Sequence, residues 1–201
     1  MTVEIRLAAA SDVPTLLEMV NRFAAQNIML PRSEESIRHS LTDWYVAVET
    51  VGRSASAEAT IVGCGSLVPL TTTLVEVRSL AVDESQQGTG LGSRLVLALI
   101  DLATARGYEQ VCALTLRASF FERLGFAVVD RWSISPKVWQ ACIYCPKFHR
   151  CDEVAMLLNL AEAAQPGQDA MIRTPGWSKL LKHGAWQPLK LAYQQRPGEK
   201  D

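Results

Sequence analysis

Apolar side chains recur along this chain with two different periods. From Val3 to Leu7 they alternate with polar residues, which predicts a first strand. Val13, Leu16, Leu17, Val20, Phe23 and Ala24 then recur at helical spacing, so an amphipathic helix is expected to about Gln26. Ser11 is its expected N-cap, and Pro14 falls where a first turn tolerates proline. Ile28-Met29-Leu30 form an apolar loop, after which Ser33, followed by Glu34 and Glu35, predicts a second helix ending near Leu41. Trp44 to Glu49 and Ala59 to Leu67 read as strands joined by a Gly-, Ser- and Ala-rich hairpin loop over 51–58. Further on, Leu91, Leu95, Leu99, Leu102 and Ala103 mark one face of a long helix ending near Gly107. Val111 to Leu116 predicts a fifth strand, Ser119 to Arg123 a short helix closed by Gly125, and Phe126 to Ile134 a sixth strand. Asp152 is placed to cap a last helix from Glu153 to about Ala163. The expected class is α/β (α+β), with a mixed sheet of about six strands flanked by helices.

The central strand departs from simple alternation. Its apolar positions are Val75 and Val77, then Leu80 and Val82, so the phase slips from odd to even. One extra residue in a strand exchanges its faces, which predicts a bulge near Ser79 and a backbone N–H or C=O left free for a ligand. Gly88, Gly90 and Gly92 follow, and a helix begins at once. Such a turn aims N–H groups and a helix N-terminus at one point, an arrangement suited to phosphate. The Gly-x-Gly-x-Gly spacing is not that of a dinucleotide site, and without a following Gly-Lys-Ser/Thr it is not a nucleoside-triphosphate loop.

Composition narrows the classes. The chain has 201 residues, nearly half of them hydrophobic and a fifth charged, as expected for one domain with a core. A formal net charge of −1 gives no reason to expect nucleic acid or an anionic membrane as partner. No apolar run approaches the ~20 residues of a membrane span, and Met-Thr-Val-Glu-Ile-Arg does not resemble a signal peptide. A cytoplasmic location is expected, where five cysteines favour thiols or metal ligands over disulfides.

The string Leu80-Ala81-Val82, then Gln87-x-x-Gly90-x-Gly92, then Phe120-Phe121-Glu122-Arg123-Leu124-Gly125-Phe126 resembles the acyl-CoA loop and flanks of the GNAT superfamily of N-acetyltransferases. Leu30-Pro31-Arg32-Ser33, Gly63-Cys64-Gly65, Val77-Arg78-Ser79-Leu80, Ala113-Leu114-Thr115, Lys137-Val138-Trp139, Cys145-Pro146-Lys147 and Cys151-Asp152-Glu153 are similar to the short, kinase-free N-acetylglutamate synthases within it. The resemblance covers about residues 3 to 160 and implies the GNAT fold, with central strands splayed around acyl-CoA. It also implies transfer of acetyl from acetyl-CoA to the amine of an amino acid, L-glutamate above all, in the first step of arginine biosynthesis. Two alternatives stay open: a GNAT enzyme for another small amine or a peptide N-terminus, and a metal- or redox-sensing module that binds acetyl-CoA without turnover.

On this reading Leu80, Ala81 and Val82 would pair with the pantetheine arm. Gln87, Gly88, Thr89, Gly90, Leu91, Gly92 and Ser93 would hold the pyrophosphate. The Leu80 N–H is the candidate donor to the thioester oxygen, and Glu76 the candidate base, directly or through water. Many members place a tyrosine where this chain has Phe121, so no tyrosine acid is assigned, and Ser119 is a weak substitute. The acceptor's carboxylates call for cations. Arg32 matches the family's substrate-side arginine, Arg78, Ser79 and Arg117 lie near the expected site, and Lys137 and Lys147 rank after them.

Three organisational units are expected: a catalytic domain over 1–135, a Cys-rich segment with its helix over 136–163, and an irregular tail over 164–201. The tail carries Trp177, Leu180, Leu181, Trp186, Leu189 and Leu191, which are too apolar for a solvated linker and should dock on this domain or a partner. Cys142, Cys145 and Cys151 with His149 have ligand-like spacing for zinc or, alternatively, an iron–sulfur centre; free thiols stay open beside a metal, and redox switching ranks after both. Cys64 and Cys112 read as core residues. Oligomeric state is not fixed by the sequence, with a homodimer among the assemblies to test.

Overall fold

The computed structural model describes residues 2–51, 58–145 and 147–163. The expected loop over 51–58 and the tail over 164–201 therefore fall largely outside the described residues. What is described forms one unit. A seven-stranded sheet has the order β1-β2-β3-β4-β5-β7-β6, its strands being β1 (Thr2–Leu7), β2 (Trp44–Val51), β3 (Glu58–Pro69), β4 (Leu74–Val82), β5 (Gln110–Thr115), β6 (Ala127–Val128) and β7 (Val154–Asn159). The helices are α1 (Val13–Ala25), α2 (Glu34–His39), α3 (Leu91–Ala105), α4 (Ala118–Glu122), α5 (Ser135–Gln140) and α6 (Leu160–Ala163). No helix among the described residues is long and apolar enough to cross a membrane.

Every strand pair is antiparallel except β4 with β5. That parallel pairing lasts only from Leu74 to Glu76 against Gln110 to Cys112, whereas β5 continues to pair with β7 through Thr115. The two strands thus part company after Glu76, and the β4 edge facing β5 is left without a strand partner over the rest of its length.

The bulge expected from the phase slip is present. Cys64 faces Ala81 and Ser66 faces Arg78, so Ser79 and Leu80 together oppose Gly65. Ser79 takes a left-handed φ of 54°, rare and strained for a residue with a Cβ. The slip separates two faces of the sheet. Val75, Val77 and Leu80 pack with Val96, Leu99 and Phe121 beneath α3 and α4. Ala81 packs with Cys64, Leu16 and Val20 beneath α1, while Leu74 packs with Cys112, Ile134 and Leu157 below α5. Glu76 and Arg78 alternate with Val75 and Val77, and so share the second face.

Three local expectations are corrected. Ser11 is not a helix cap: it lies in a 3-10 turn over Ala10–Asp12, where Asp12 instead accepts from Ala9 N and Arg6. The sixth strand is cut to two residues, because Asp130 caps a 3-10 turn at Trp132 N and turns the chain away. The helix expected from Glu153 is mostly strand β7, inserted between β5 and β6. Val154-Ala155-Met156-Leu157-Leu158 has no period because both faces are covered, and such a run suits a buried strand as well as a helix. Strand β7 pairs with β5 and β6 and so lies within the sheet. The Ser33 cap does form, with Oγ accepting from Ser36 N at 3.1 Å.

Candidate active site

Two groups of residues converge on the bulge from opposite ends of β4. Beyond Val82, Asp83 accepts from Ser85 N and starts a short 3-10 turn. Gly88 and Gly90 then take φ of 79° and 86°, a conformation open to glycine. Gly90 is the N-cap of α3 and offers no side-chain acceptor, so the first-turn N–H groups from Leu91 to Ser93 have no intrahelical partner. Thr89 Oγ1 donates to Gln86 O at 2.7 Å and Gln87 Nε2 to Val82 O at 3.1 Å, which fixes the turn against the strand. Gly92 does something else: a Cβ there would sit 3.5 Å from the Phe120 ring, so its value is close packing of the helix start. Phe121, in the place where a tyrosine acid was considered, is buried between Phe120 and Phe126 in edge-on contacts.

At the other end lies a cluster of charges. Glu76 is 3% exposed and receives two cations on separate oxygens. Arg78 donates from Nε at 2.9 Å and also from Nη2 to Oε2, while Lys137 Nζ lies 2.8 Å from Oε1. Lys137 comes from α5 and is itself buried. Gln140 Nε2 donates to Leu70 O at 3.0 Å, a second tie between α5 and the turn preceding β4.

Arg32 completes the cluster. Its backbone is clasped by Asn21 of α1, whose Oδ1 accepts from Arg32 N at 3.0 Å and whose Nδ2 donates to Arg32 O at 3.1 Å. Its Nε reaches Ser79 Oγ at 3.3 Å, on the strained residue of the bulge. Burial, and then the like charge of Arg78, pull Arg32 below its ordinary value, with Glu76 acting in the opposite direction. Arg32 and Arg78 therefore feel one another's like charge, while the nearby Glu76 carboxylate is shared between Arg78 and Lys137.

The structure brings Arg32, Glu76, Arg78 and Ser79 together, and collects Gln87 to Ser93 at the start of α3. Arg117 and Ser119 are exposed at the β5–α4 turn and make no ion pair or side-chain hydrogen bond with the charged cluster. Lys147 is exposed. Asn21 carried no signal in the sequence beyond its position on the polar side of α1, and Lys137 was only one cation among several.

The metal expectation is overturned: among the described residues no group of three or more His, Cys, Asp or Glu side chains could hold a metal ion. Cys142 and Cys145 bracket one 3-10 turn, and His149 lies in another, packed edge-on against Phe148. Cys151 Sγ points to Glu153 Oε2 at 3.8 Å. Cys64 and Cys112 are core residues whose thiols burial pushes up to about 12.

Comparison with known proteins agrees with this geometry. Residues 18–126 match the model of the acetyltransferase (GNAT) family. An uncharacterised N-acetyltransferase from Chlorobaculum tepidum is 32% identical over 156 residues, which is 78% of this chain and 96% of the relative. An amino-acid acetyltransferase from Mycobacterium tuberculosis is 29% identical over 135 residues, 67% of this chain and 74% of the relative. Among solved structures, N-acetylglutamate synthase from Neisseria gonorrhoeae, complexed with coenzyme A and N-acetyl-glutamate, superimposes with a TM-score of 0.63 at 21% identity, covering 80% of this chain and 35% of that one. A Mycobacterium tuberculosis protein in complex with CoA and NLQ gives a TM-score of 0.64 at 24% identity, covering 78% and 98%. At these identities the structural likeness is one of fold.

Proposed function

From the premise that this chain belongs to the GNAT family and is an acyltransferase, we propose that it transfers acetyl from acetyl-CoA to the α-amine of L-glutamate. Solved relatives of the same fold were crystallised with coenzyme A, which supports acetyl-CoA as the donor. The observation that supports the acceptor assignment is a pair of arginines at the bulge, Arg32 bonded to Ser79 Oγ and Arg78 paired with Glu76, whose like charges oppose one another. A bound anion stabilises like charges held near one another, and glutamate brings two carboxylates.

In this reading the uncapped N–H groups from Gly88 to Ser93 take the pyrophosphate, and the unpaired edge at Leu80, Ala81 and Val82 takes the pantetheine arm as an added strand. The bulge then sets the thioester carbonyl beside Leu80 N–H, a donor aimed where negative charge develops. The acceptor nitrogen attacks the carbonyl carbon, the C–N bond forms and the C–S bond breaks. The acceptor ammonium gives up its proton to water before it attacks, because both Glu76 oxygens are already held by Arg78 and Lys137 in a site 3% exposed. The CoA thiolate is a tolerable leaving group and takes its proton from solvent, with no tyrosine required. The product would be N-acetylglutamate, made in the cytoplasm at the opening of arginine biosynthesis.

The test is an acetyl-CoA turnover assay across the amino acids and small amines. L-Glutamate should be the best acceptor, and Arg32→Ala should raise its KM by roughly ten- to a hundredfold, the worth of a charge-assisted pair, with the KM for acetyl-CoA unmoved. Turnover confined to other amines would replace glutamate, and CoA binding without any turnover would remove the enzymatic reading of this site.

A further inference from the structure

Lys137 is the least expected member of the cluster. Its neighbours in α5 and the preceding turn, Val138 and Ile134, are completely buried, and Ile134 packs with Leu70, Leu74, Cys112 and Leu157. An apolar side chain would fill such a place at lower cost, since a buried ion pair gains little stability over hydrophobic packing of the same volume. Yet the chain puts an ammonium there and joins it to Glu76 with side-chain exposures of 6% and 4%.

The geometry around Glu76 shows what the ammonium does. Lys137 occupies Oε1, so the carboxylate cannot rotate freely, and Oε2 is left to meet Arg78. Arg78 uses its Nε and Nη2 edge for that contact, which leaves Nη1 uncommitted among the described residues. Arg78 remains partly exposed, at 21%, whereas Glu76 and Lys137 are sealed. The chain of contacts runs from a fixed helix, through a fixed carboxylate, to a guanidinium presented at the bulge. Gln140 on Leu70 O keeps α5 at the right height for Lys137 to reach.

We propose that Lys137 is a positioning residue of acetyl transfer: it locks the Glu76 carboxylate, and through it aims Arg78 at the anionic end of the acceptor. The inference rests on the reading of this site as an amino-acid N-acetyltransferase and extends it to a residue that never meets the acceptor. It also gives α5 a role as one wall of the acceptor site.

The experiment compares wild type, Lys137→Met, Lys137→Arg, Glu76→Gln and the double variant, in the full chain. Steady-state kinetics use whichever amino acid the wild type acetylates best, and CoA binding by calorimetry reports an intact fold. A wrong acceptor assignment then appears in the wild type, and a wrong Lys137 assignment in the ratios between variants. Lys137→Met keeps the stem's volume and should raise acceptor KM by about tenfold, the scale of one hydrogen bond to a charged group, with acetyl-CoA KM within about twofold. Lys137→Arg should fall between Met and wild type. On the Glu76→Gln background Lys137→Met should add less than about twofold, because the relay is already broken.

An unmoved acceptor KM in folded Lys137→Met overturns the proposal. So does an equal rise in both KM values, or a full effect that persists on the Glu76→Gln background. If Lys137→Met does not fold, Lys137→Arg decides by the same KM split, and failure of both to fold would assign Lys137 to structure alone.

Discussion

On the Gly88–Ser93 side of β4 the candidate groups are main-chain N–H donors, whereas on the Glu76–Arg78 side they are charged side chains from three separate elements, with the uncharged Asn21 supplied by a fourth. The first half is set by local backbone conformation: two glycines at positive φ, then a helix that starts without a side-chain cap. The second half exists only because α1, the loop before α2, β4 and α5 meet in one place. On the proposed reading, the backbone site would recognise what is common to every use of the carrier, its diphosphate. A site of converging side chains can be altered one residue at a time, and this is where members of a fold family diverge in substrate. The two halves should therefore fail differently.

The largest difference should come from Glu76→Ala. Removing this carboxylate leaves Lys137 and part of Arg78 buried without a counter-charge, which costs about 3–5 kcal/mol. Chemical denaturation should show that loss as a lower midpoint with an unchanged slope. A midpoint close to wild type would mean that the two cations find water or another partner, and that the cluster is looser than its distances imply.

Gly90→Val probes the other half. Nothing lies within 4 Å of a Cβ at Gly90, so the fold can accept the side chain sterically. The φ of 86° cannot suit a β-branched residue, and a strain of about 1–3 kcal/mol would be relieved by turning the N–H groups away. Calorimetry should show CoA affinity falling by about tenfold or more while the KM for the acceptor hardly moves. Loss of stability with CoA affinity retained would reverse the comparison, making this turn structural and the charged side the binding element.

The same contrast explains what could be read from the residues in order. The bulge at Ser79 was readable because a strand that changes phase between Val77 and Leu80 has one explanation, an extra residue. The glycine turn was readable because positive φ and a following helix are both local properties. Arg32 and Arg78 were identified as cations, but nothing local says that Asn21 clasps the Arg32 backbone or that Lys137 is buried against Glu76. Those contacts are set by tertiary approach alone. Strand β7 was misread for a related reason: an apolar run covered on both sides has no period, and only its partners β5 and β6 declare it a strand. The cysteines misled in the opposite way, since ligand-like spacing suggested a metal set, whereas among the described residues no group of three or more such side chains could hold a metal ion.

The smallest expected effect sits at the border of the charged half, on Glu153. Burial holds its carboxyl above the ordinary value of 4.5, while Lys137 and a contact from Cys151 partly oppose that rise. A carboxyl raised by folding favours the protonated native state. Its contribution to stability is fully present below the unfolded value and is lost as pH rises through the folded one. At neutral pH the group is ionised at a cost, and Glu153→Gln removes that cost while keeping the shape. The variant should melt slightly above wild type at pH 7, and the gap should close as pH falls below about 4.5. A variant that melts lower at pH 7 would show that the ionised Glu153 is a working partner of Lys137. The charged cluster would then extend from β4 through α5 to β7, and its surplus of cations would be smaller than the one on which the acceptor assignment rests.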